Sequence, residues 1–88
     1  MIEKELIVKN KLGLHARPAA LLVKSMGKFE SKIEILRDDL LVDGKSIMGI
    51  MMLAAEQGAK LTFRIDGPDE NEAMNAVIEL FEKRFYEE

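Results

Sequence analysis

The 88-residue chain contains no cysteine, and this absence excludes three kinds of site. Without thiols the protein has no disulfide framework, no thiolate metal site and no cysteine nucleophile. It also contains a single histidine, His15, which argues against a zinc site. We therefore expect a protein that uses neither a metal nor a cofactor.

Long apolar runs and an excess of positive charge are also missing. No stretch approaches transmembrane length, and Met1–Glu5 contains acidic residues instead of the apolar core of a signal peptide, so we expect a cytoplasmic protein without membrane insertion. A net charge of −3 disfavours nucleic acid as a partner. Because repeats and low-complexity linkers are absent, residues 1–88 are predicted to form a single domain with a short acidic end, Glu87 and Glu88.

The apolar residues follow two different periods along the chain. They alternate with polar residues in three segments, as strands with one wet face do: Ile2, Leu6 and Val8; Ile33 and Ile35; Leu61, Phe63 and Ile65. They recur at helical spacing in two others: Ala16, Ala19, Ala20, Leu22, Val23 and Met26; Ala73, Val77, Leu80 and Phe81. A turn at Asp38 and Asp39 precedes a further strand at residues 40–42. The pattern predicts an α+β protein of order βαββαβα, an open-faced β-sandwich whose four-stranded antiparallel sheet carries the helices on one face.

Capping signals predict where one helix begins and another ends. Asp69, followed by Glu72 three positions later, predicts a capping box that starts the last helix near Glu70. Gly27 predicts the end of the first helix.

Residues 13–18 read Gly-Leu-His-Ala-Arg-Pro, so His15 stands directly before the first helical segment. The first amides of a helix lack intrahelical partners and carry the positive end of its dipole, and together they form an anion site. Neutral imidazole is a nucleophile, and phosphorylated imidazole is a good leaving group. His15 is therefore predicted to accept and release a phosphoryl group beside the backbone amides of Ala16 and Arg17.

The Arg17 side chain is predicted to hold that phosphate through paired, charge-assisted hydrogen bonds. Pro18 suits the first helical turn, and Gly13 permits a tight approach to it. The alternative is that His15 is an ordinary polar residue with an arginine beside it by chance. The spacing of these residues alone leaves both interpretations open.

Residues 44–53 predict a short helix that is apolar over more than one face. Ser46 is its predicted N-cap. An apolar stripe comprises Ile47, Ile50, Met51 and Ala54, and half of it suits a core. Met48, Met52 and part of Ile47 and Met51 fall outside a single stripe and indicate a surface that meets several partners, whereas a fully buried short helix is the alternative. The predicted docking residues on this helix are Ile47, Met48 and Met51.

Two separated motifs together resemble the HPr family, the histidine-containing phosphocarriers of the bacterial phosphoenolpyruvate-dependent sugar phosphotransferase system. The resemblance covers the whole chain. The matching residues are Gly13–Ala19 (Gly-Leu-His-Ala-Arg-Pro-Ala), Lys45–Met51 (Lys-Ser-Ile-Met-Gly-Ile-Met), Gly58, Gly67 and Asp69–Glu70. It implies that His15 takes phosphate on Nδ1 from enzyme I and passes it to sugar-specific IIA domains, with the assistance of Arg17. It also implies a carrier that needs partner enzymes and is not itself an enzyme.

The same resemblance implies that an HPr kinase/phosphorylase phosphorylates Ser46. A phosphate at a helix N-terminus adds about −1.5 to −2 charges where the dipole favours them, so the fold need not change while docking of enzyme I weakens. A plain N-cap serine is the alternative. A second hypothesis for the whole protein is a regulatory module in which Ser46 controls attachment to a kinase or to a catabolite-control transcription regulator.

Other positions leave alternatives open or depart from the family pattern. Ala20 and Lys24 on the first helix are predicted to contact partners, although solvated lysines are the commoner case. Leu12 stands where relatives often carry a small polar residue, and Ala54 stands where they frequently have glycine, which predicts a slightly longer short helix. A monomer is the expected form.

Overall fold

The computed structural model describes residues 1–87, and Glu88, the predicted last residue of the domain and of its acidic end, lies outside the described residues. Four strands, three α-helices and a final turn follow one another. Their bounds are β1 (Ile2–Ile7), α1 (Ala16–Met26), β2 (Lys32–Arg37), β3 (Leu40–Asp43), α2 (Ile47–Met52), β4 (Lys60–Asp66), α3 (Glu70–Glu82) and a 3₁₀ turn, Arg84–Tyr86. This order confirms the predicted βαββαβα arrangement.

The strands form one antiparallel sheet in the order β1-β4-β2-β3. Strand β4 lies inside the sheet, where Phe63 pairs with Lys4 on one side and Ile35 on the other. Alternate residues of β4 are completely buried beneath the helices, and burial of each such side chain contributes roughly 1.5–3 kcal/mol. They are Leu61, Phe63 and Ile65. The opposite face of the sheet stays open, which confirms the predicted open-faced sandwich.

Helix α1 lies between α2 and α3 and contacts both. Its buried residues are Pro18, Ala19, Leu22 and Met26. The buried residues of α3 are Ala73, Met74, Val77, Leu80 and Phe81. The predicted apolar face of α3 is confirmed, whereas in α1 Ala16 and Ala20 are exposed and only half of the predicted set is fully buried. Helix α1 ends at Met26 with Gly27 as its C-cap, as predicted.

Helix α3 starts at the predicted residue, Glu70, but the Asp69 side chain does not cap it as predicted. Asp69 makes no side-chain cap to its own helix. Its carboxylate instead accepts hydrogen bonds from the backbone N–H groups of Glu30 and Ser31, at 2.9 and 3.0 Å, and from the Ser31 hydroxyl. The predicted capping box is therefore wrong, because the loop before β2 offers the carboxylate more donors than its own helix does. The carboxylate of Glu70 accepts a hydrogen bond from the Gly67 N–H at 3.1 Å.

This arrangement predicts an acid-sensitive tie between the loop and α3. The Ser31 hydroxyl and the two backbone donors hold the pKa of Asp69 below its ordinary value of 3.8. A folded-state pKa below that of the unfolded chain stabilises the fold above pH 3.8, and the stabilisation is lost as the pH falls through the folded pKa. We expect Asp69→Asn to unfold at lower urea concentration at neutral pH and the difference from wild type to shrink in acid. A difference that does not depend on pH would contradict this origin.

Candidate functional site

The loop before α1 is held against the segment after α2, and this contact places His15. The backbone of Gly13 has φ of 71°, and a Cβ atom there would lie 2.3 Å from the carbonyl oxygen of Ala55. The N–H of Leu14 donates to the same carbonyl at 2.8 Å, and the Leu14 side chain is buried. Only glycine combines this backbone conformation with so close an approach.

His15 is the N-cap residue of α1, as predicted, but its ring does not cap the helix. Its carbonyl oxygen accepts the first helical bond, from Ala19 N–H at 3.0 Å. Pro18 has no N–H, so the helix start presents the backbone amides of Ala16 and Arg17. These are the two amides that the sequence predicts as the anion site.

One nitrogen of the His15 ring is already bonded. Its Nε2 lies 2.9 Å from Oε2 of Glu87, while the His15 side chain remains 37% exposed and the Glu87 side chain only 11%. A carboxylate only accepts hydrogen bonds, so Nε2 carries the proton, which assigns the tautomer with an unprotonated Nδ1 in the neutral ring. The hydrogen bond to Glu87 therefore leaves the unprotonated lone pair of the neutral ring on Nδ1.

Glu87 is in turn held by Asn10. The Asn10 Nδ2 atom donates to Oε1 of Glu87 at 2.9 Å and to the carbonyl oxygen of Gly13 at 2.6 Å. Both partners are acceptors, so the orientation of this completely buried amide is fixed. Its Oδ1 is buried with no partner within residues 1–87, which costs about 1–3 kcal/mol. Asn10 thus links the loop before α1 to Glu87.

The pKa of Glu87 is lower than its ordinary value of 4.5. Partial burial acts to raise it, but hydrogen bonds from Asn10 and His15, together with the charges of His15 and Arg17, outweigh that effect. The carboxylate is therefore ionised at neutral pH and able to accept both hydrogen bonds.

The Arg17 side chain is exposed and lines a surface groove with Lys11, Leu12, Tyr86 and Glu87. The sequence predicts that it clamps a phosphate on His15. The structure places it near Glu87, whose pKa its charge lowers. Leu12, the departure from the family pattern, is 71% exposed, and the loop after it is hydrogen-bonded through the N–H groups of Gly13 and Leu14.

Helix α2 presents most of its apolar side chains to solvent. Ile50 alone is buried in it, and the exposed fractions of Ile47, Met48 and Met51 are 42%, 74% and 43%. The alternative of a fully buried helix is therefore wrong, and within the helix the predicted apolar stripe faces the core through Ile50. An exposed patch of this size is typical of an interaction site.

Ser46 caps α2 as predicted, because its Oγ accepts the N–H of Gly49 at 3.1 Å. The predicted lengthening of α2 is wrong. The helix ends at Met52, and Ala54 has φ of 46°, a left-handed conformation that breaks the helix. Arg37 donates to the carbonyl oxygens of Leu53 and Ala54, both at 3.0 Å, and holds this turn in place.

The predicted contact residues of α1 face different surroundings. Ala20 is exposed, whereas Lys24 lines a groove between α1 and α3 with Leu21, Lys28 and Tyr86 among its neighbours. Lys45, next to Ser46, donates through Nζ to the carbonyl oxygen of Phe29 at 2.6 Å. Lys45 is therefore engaged in the fold.

Sequence reasoning missed Asn10 and Glu87. Glu87 stands 72 positions after His15, and the sequence pattern places it in a short acidic end. No local spacing connects the two, and Asn10 shows only the composition of a turn. Their contacts with His15 and Gly13 can be recognised only in the fold, which brings the segment after α3 next to the start of α1.

Within residues 1–87, no cluster of three or more potential metal ligands occurs, and no helix is both long and apolar enough to cross a bilayer.

Comparison with known proteins shows the same family along nearly the whole chain. The family model described as "PTS HPr component phosphorylation site" matches residues 2–83. The phosphocarrier protein HPr of Xylella fastidiosa strain 9a5c is 56% identical over 88 residues, covering 100% of this chain and 99% of that protein. The HPr-like protein Crh of Halalkalibacterium halodurans is 49% identical, covering 94% and 99%.

A solved structure agrees with this assignment. The crystal structure of HPr-C-His from Thermoanaerobacter tengcongensis superposes with a TM-score of 0.96 at 48% identity, covering 100% of this chain and 99% of that one. The motifs around His15 and Ser46, the fold and the full-length similarity all lead to one conclusion: the chain belongs to the HPr family of phosphotransferase-system phosphocarriers, which are carrier proteins and not enzymes.

Proposed function

We propose that this chain accepts a phosphoryl group from phospho-enzyme I on Nδ1 of His15 and passes it to sugar-specific IIA domains. The observation that carries the proposal is the state of the His15 ring at the start of α1. Nε2 is bonded to Glu87, and the ring leaves the amides of Ala16 and Arg17 uncapped. A phosphoryl group on Nδ1 has these amides and the Arg17 guanidinium available as donors.

The docking surface in this proposal comprises α2 and the adjoining part of α1. Its residues are Ala20, Lys24, Ile47, Met48 and Met51, which are exposed in the free chain. Partners that cover this surface exclude water from the transferring phosphoryl group and supply the rest of its surroundings. The proposed acting unit is a monomer.

A transfer assay tests the proposal. Labelled phosphoenolpyruvate, enzyme I and a IIA domain are incubated with wild-type chain or with His15→Ala. We expect label on the IIA domain with the wild type and none with His15→Ala. Ser46→Ala serves as the control and should transfer at about the wild-type rate. Transfer through His15→Ala would contradict the proposal.

Ser46 supports a regulatory role within the same proposal, as a substrate of an HPr kinase/phosphorylase. Its hydroxyl lies at the start of α2, half-buried and directly before the exposed Ile47 and Met48. A phosphate there adds negative charge at the edge of the docking surface without removing a core contact. The phosphorylated form would attach to a catabolite-control transcription regulator.

Ser46→Asp is expected to weaken enzyme I binding several-fold at low ionic strength, because the new charge faces the partner surface. Ser46→Asn is the matched control, since asparagine caps a helix as well as aspartate but is neutral. Binding is measured by isothermal titration. Equal weakening in both variants would show that the capping geometry, and not the charge, is responsible. If Ser46→Ala abolished partner attachment while His15→Ala did not, the protein would instead act as a regulatory binding module.

A further inference from the structure

Residues 84–86 form a turn that their sequence does not favour. After α3 stops at Glu82, three consecutive residues other than glycine adopt left-handed backbone conformations: Arg84, Phe85 and Tyr86, with φ of 54°, 55° and 59°. Each such residue costs about 1–2 kcal/mol relative to the right-handed form. A strained backbone of this kind persists only when the surrounding contacts hold it.

Phe85 supplies the main contact. Its side chain is only 3% exposed, and its ring lies 5.1 Å from that of Phe81 between centroids. Hydrogen bonds from Tyr86 N–H to Lys83 and from Glu87 N–H to Arg84, at 2.9 and 3.0 Å, close the turn. The turn reverses the chain and delivers the Glu87 carboxylate to the ring of His15.

The two oxygens of that carboxylate have different partners. Oε2 accepts from His15 Nε2 and Oε1 accepts from Asn10 Nδ2, both at 2.9 Å. Asn10 also binds the carbonyl of Gly13, two residues before His15. The carboxylate is therefore fixed with respect to the loop that carries the ring, and not merely near it.

We propose that Glu87 is a positioning residue for phosphoryl transfer, which selects Nδ1 of His15 as the nucleophile and neutralises the charge that develops on the ring. This inference rests on the proposed role of His15 as phosphoryl acceptor. The inference itself concerns Glu87, which lies 72 positions after His15.

The chemistry follows from the tautomer. The Nδ1 lone pair forms the new N–P bond while the bond from phosphorus to the donor's leaving atom breaks, and that electron pair departs with the donor. No proton has to leave the ring, because Nε2 keeps its hydrogen. The phosphorylated ring then carries positive charge that Nε2–H shares with the Glu87 carboxylate, in the manner of a carboxylate that orients a catalytic imidazole. When the phosphoryl group is passed on, the electron pair of the N–P bond returns to Nδ1, and the ring becomes neutral again.

The first test examines the unphosphorylated protein, so it does not depend on any partner. In ¹⁵N spectra recorded at a pH at which the imidazole is neutral, we expect the wild type to show essentially one tautomer, with hydrogen on Nε2. Glu87→Ala is expected to show a mixture of tautomers. Glu82→Ala is the matched control, because Glu82 is a nearby glutamate at the end of α3 that pairs with Lys9 instead of His15. A single Nε2–H tautomer in Glu87→Ala would overturn tautomer selection by Glu87.

The second test measures phosphorylation of Glu87→Gln, which keeps the shape of the side chain but removes its charge. We expect a rate about fivefold to tenfold below wild type, since a charged acceptor binds more strongly than a neutral one. We also expect, in Glu87→Ala, a detectable share of phosphate on Nε2 by ³¹P and ¹⁵N spectroscopy. Unchanged urea midpoints would show that the fold is not the cause.

The outcomes separate this inference from the proposed function. Wild-type rates and purely Nδ1 phosphate in both Glu87 variants would overturn the role of Glu87 and leave His15 as the carrier. A wild type that takes no phosphate from a competent enzyme I would instead overturn the carrier function, and the positioning role with it, even if the tautomer responded to Glu87.

Discussion

Gly13→Ala is expected to lower the free energy of unfolding by about 2 to 5 kcal/mol, from the combined cost of overpacking and a left-handed alanine. The new Cβ would lie 2.3 Å from the carbonyl oxygen of Ala55, and backbone atoms cannot move aside as a flexible side chain does. For a domain whose total stability is about 5–15 kcal/mol, this is a large fraction. Urea unfolding at neutral pH measures it. The variant should also lose phosphoryl transfer, because the displaced loop carries His15.

Gly58→Ala is the matched control for that experiment. Gly58 also has a left-handed backbone, with φ of 92°, but a Cβ there would meet nothing within 4 Å. It should therefore lose only the conformational part, about 1–2 kcal/mol. Equal losses in the two variants would contradict the close approach of the loop to Ala55.

Met48→Asp is expected to weaken binding of enzyme I by about tenfold or more without unfolding the protein. Met48 is 74% exposed, so a carboxylate there is fully hydrated in the free chain. In the complex the same carboxylate would be buried without a partner, which is costly in an apolar contact. Titration calorimetry against enzyme I and urea unfolding of the free variant measure the two effects separately.

Leu41→Asp provides a comparison at a second exposed apolar residue. Leu41 is 47% exposed on β3, and its neighbour Val42 is buried toward the helices, so Leu41 faces the open side of the sheet. Its replacement should leave enzyme I binding near that of wild type. If Met48→Asp bound as tightly as Leu41→Asp, α2 would not belong to the docking surface.

Much of the fold could be predicted from local patterns. The alternation of Leu61, Phe63 and Ile65 predicts a half-buried strand, and the spacing of Ala73, Val77 and Phe81 predicts the buried face of α3. These patterns are reliable because burial repeats with the period of the element. Their outcomes in the structure agree with the prediction.

Features that depend on contacts between distant segments could not be predicted in this way. Asp69 has the composition of an N-cap, but a loop 38 or more positions away offers it better donors. Helical periodicity places Ile47, Ile50 and Met51 on one stripe of α2, but the contacts of this helix with the rest of the fold bury only Ile50 of the three. The partnership of His15 with Glu87 depends on a left-handed turn for which Arg84, Phe85 and Tyr86 carry no sequence signal.

The most direct test of the role of His15 is the intact mass of the protein after incubation with phosphoenolpyruvate and a catalytic amount of cognate enzyme I. We expect an acid-labile gain of about 80 Da, one phosphoryl group on a histidine nitrogen, in the wild type and no gain in His15→Ala. No gain in the wild type, or the same gain in both proteins, would contradict the claim that His15 carries the phosphoryl group.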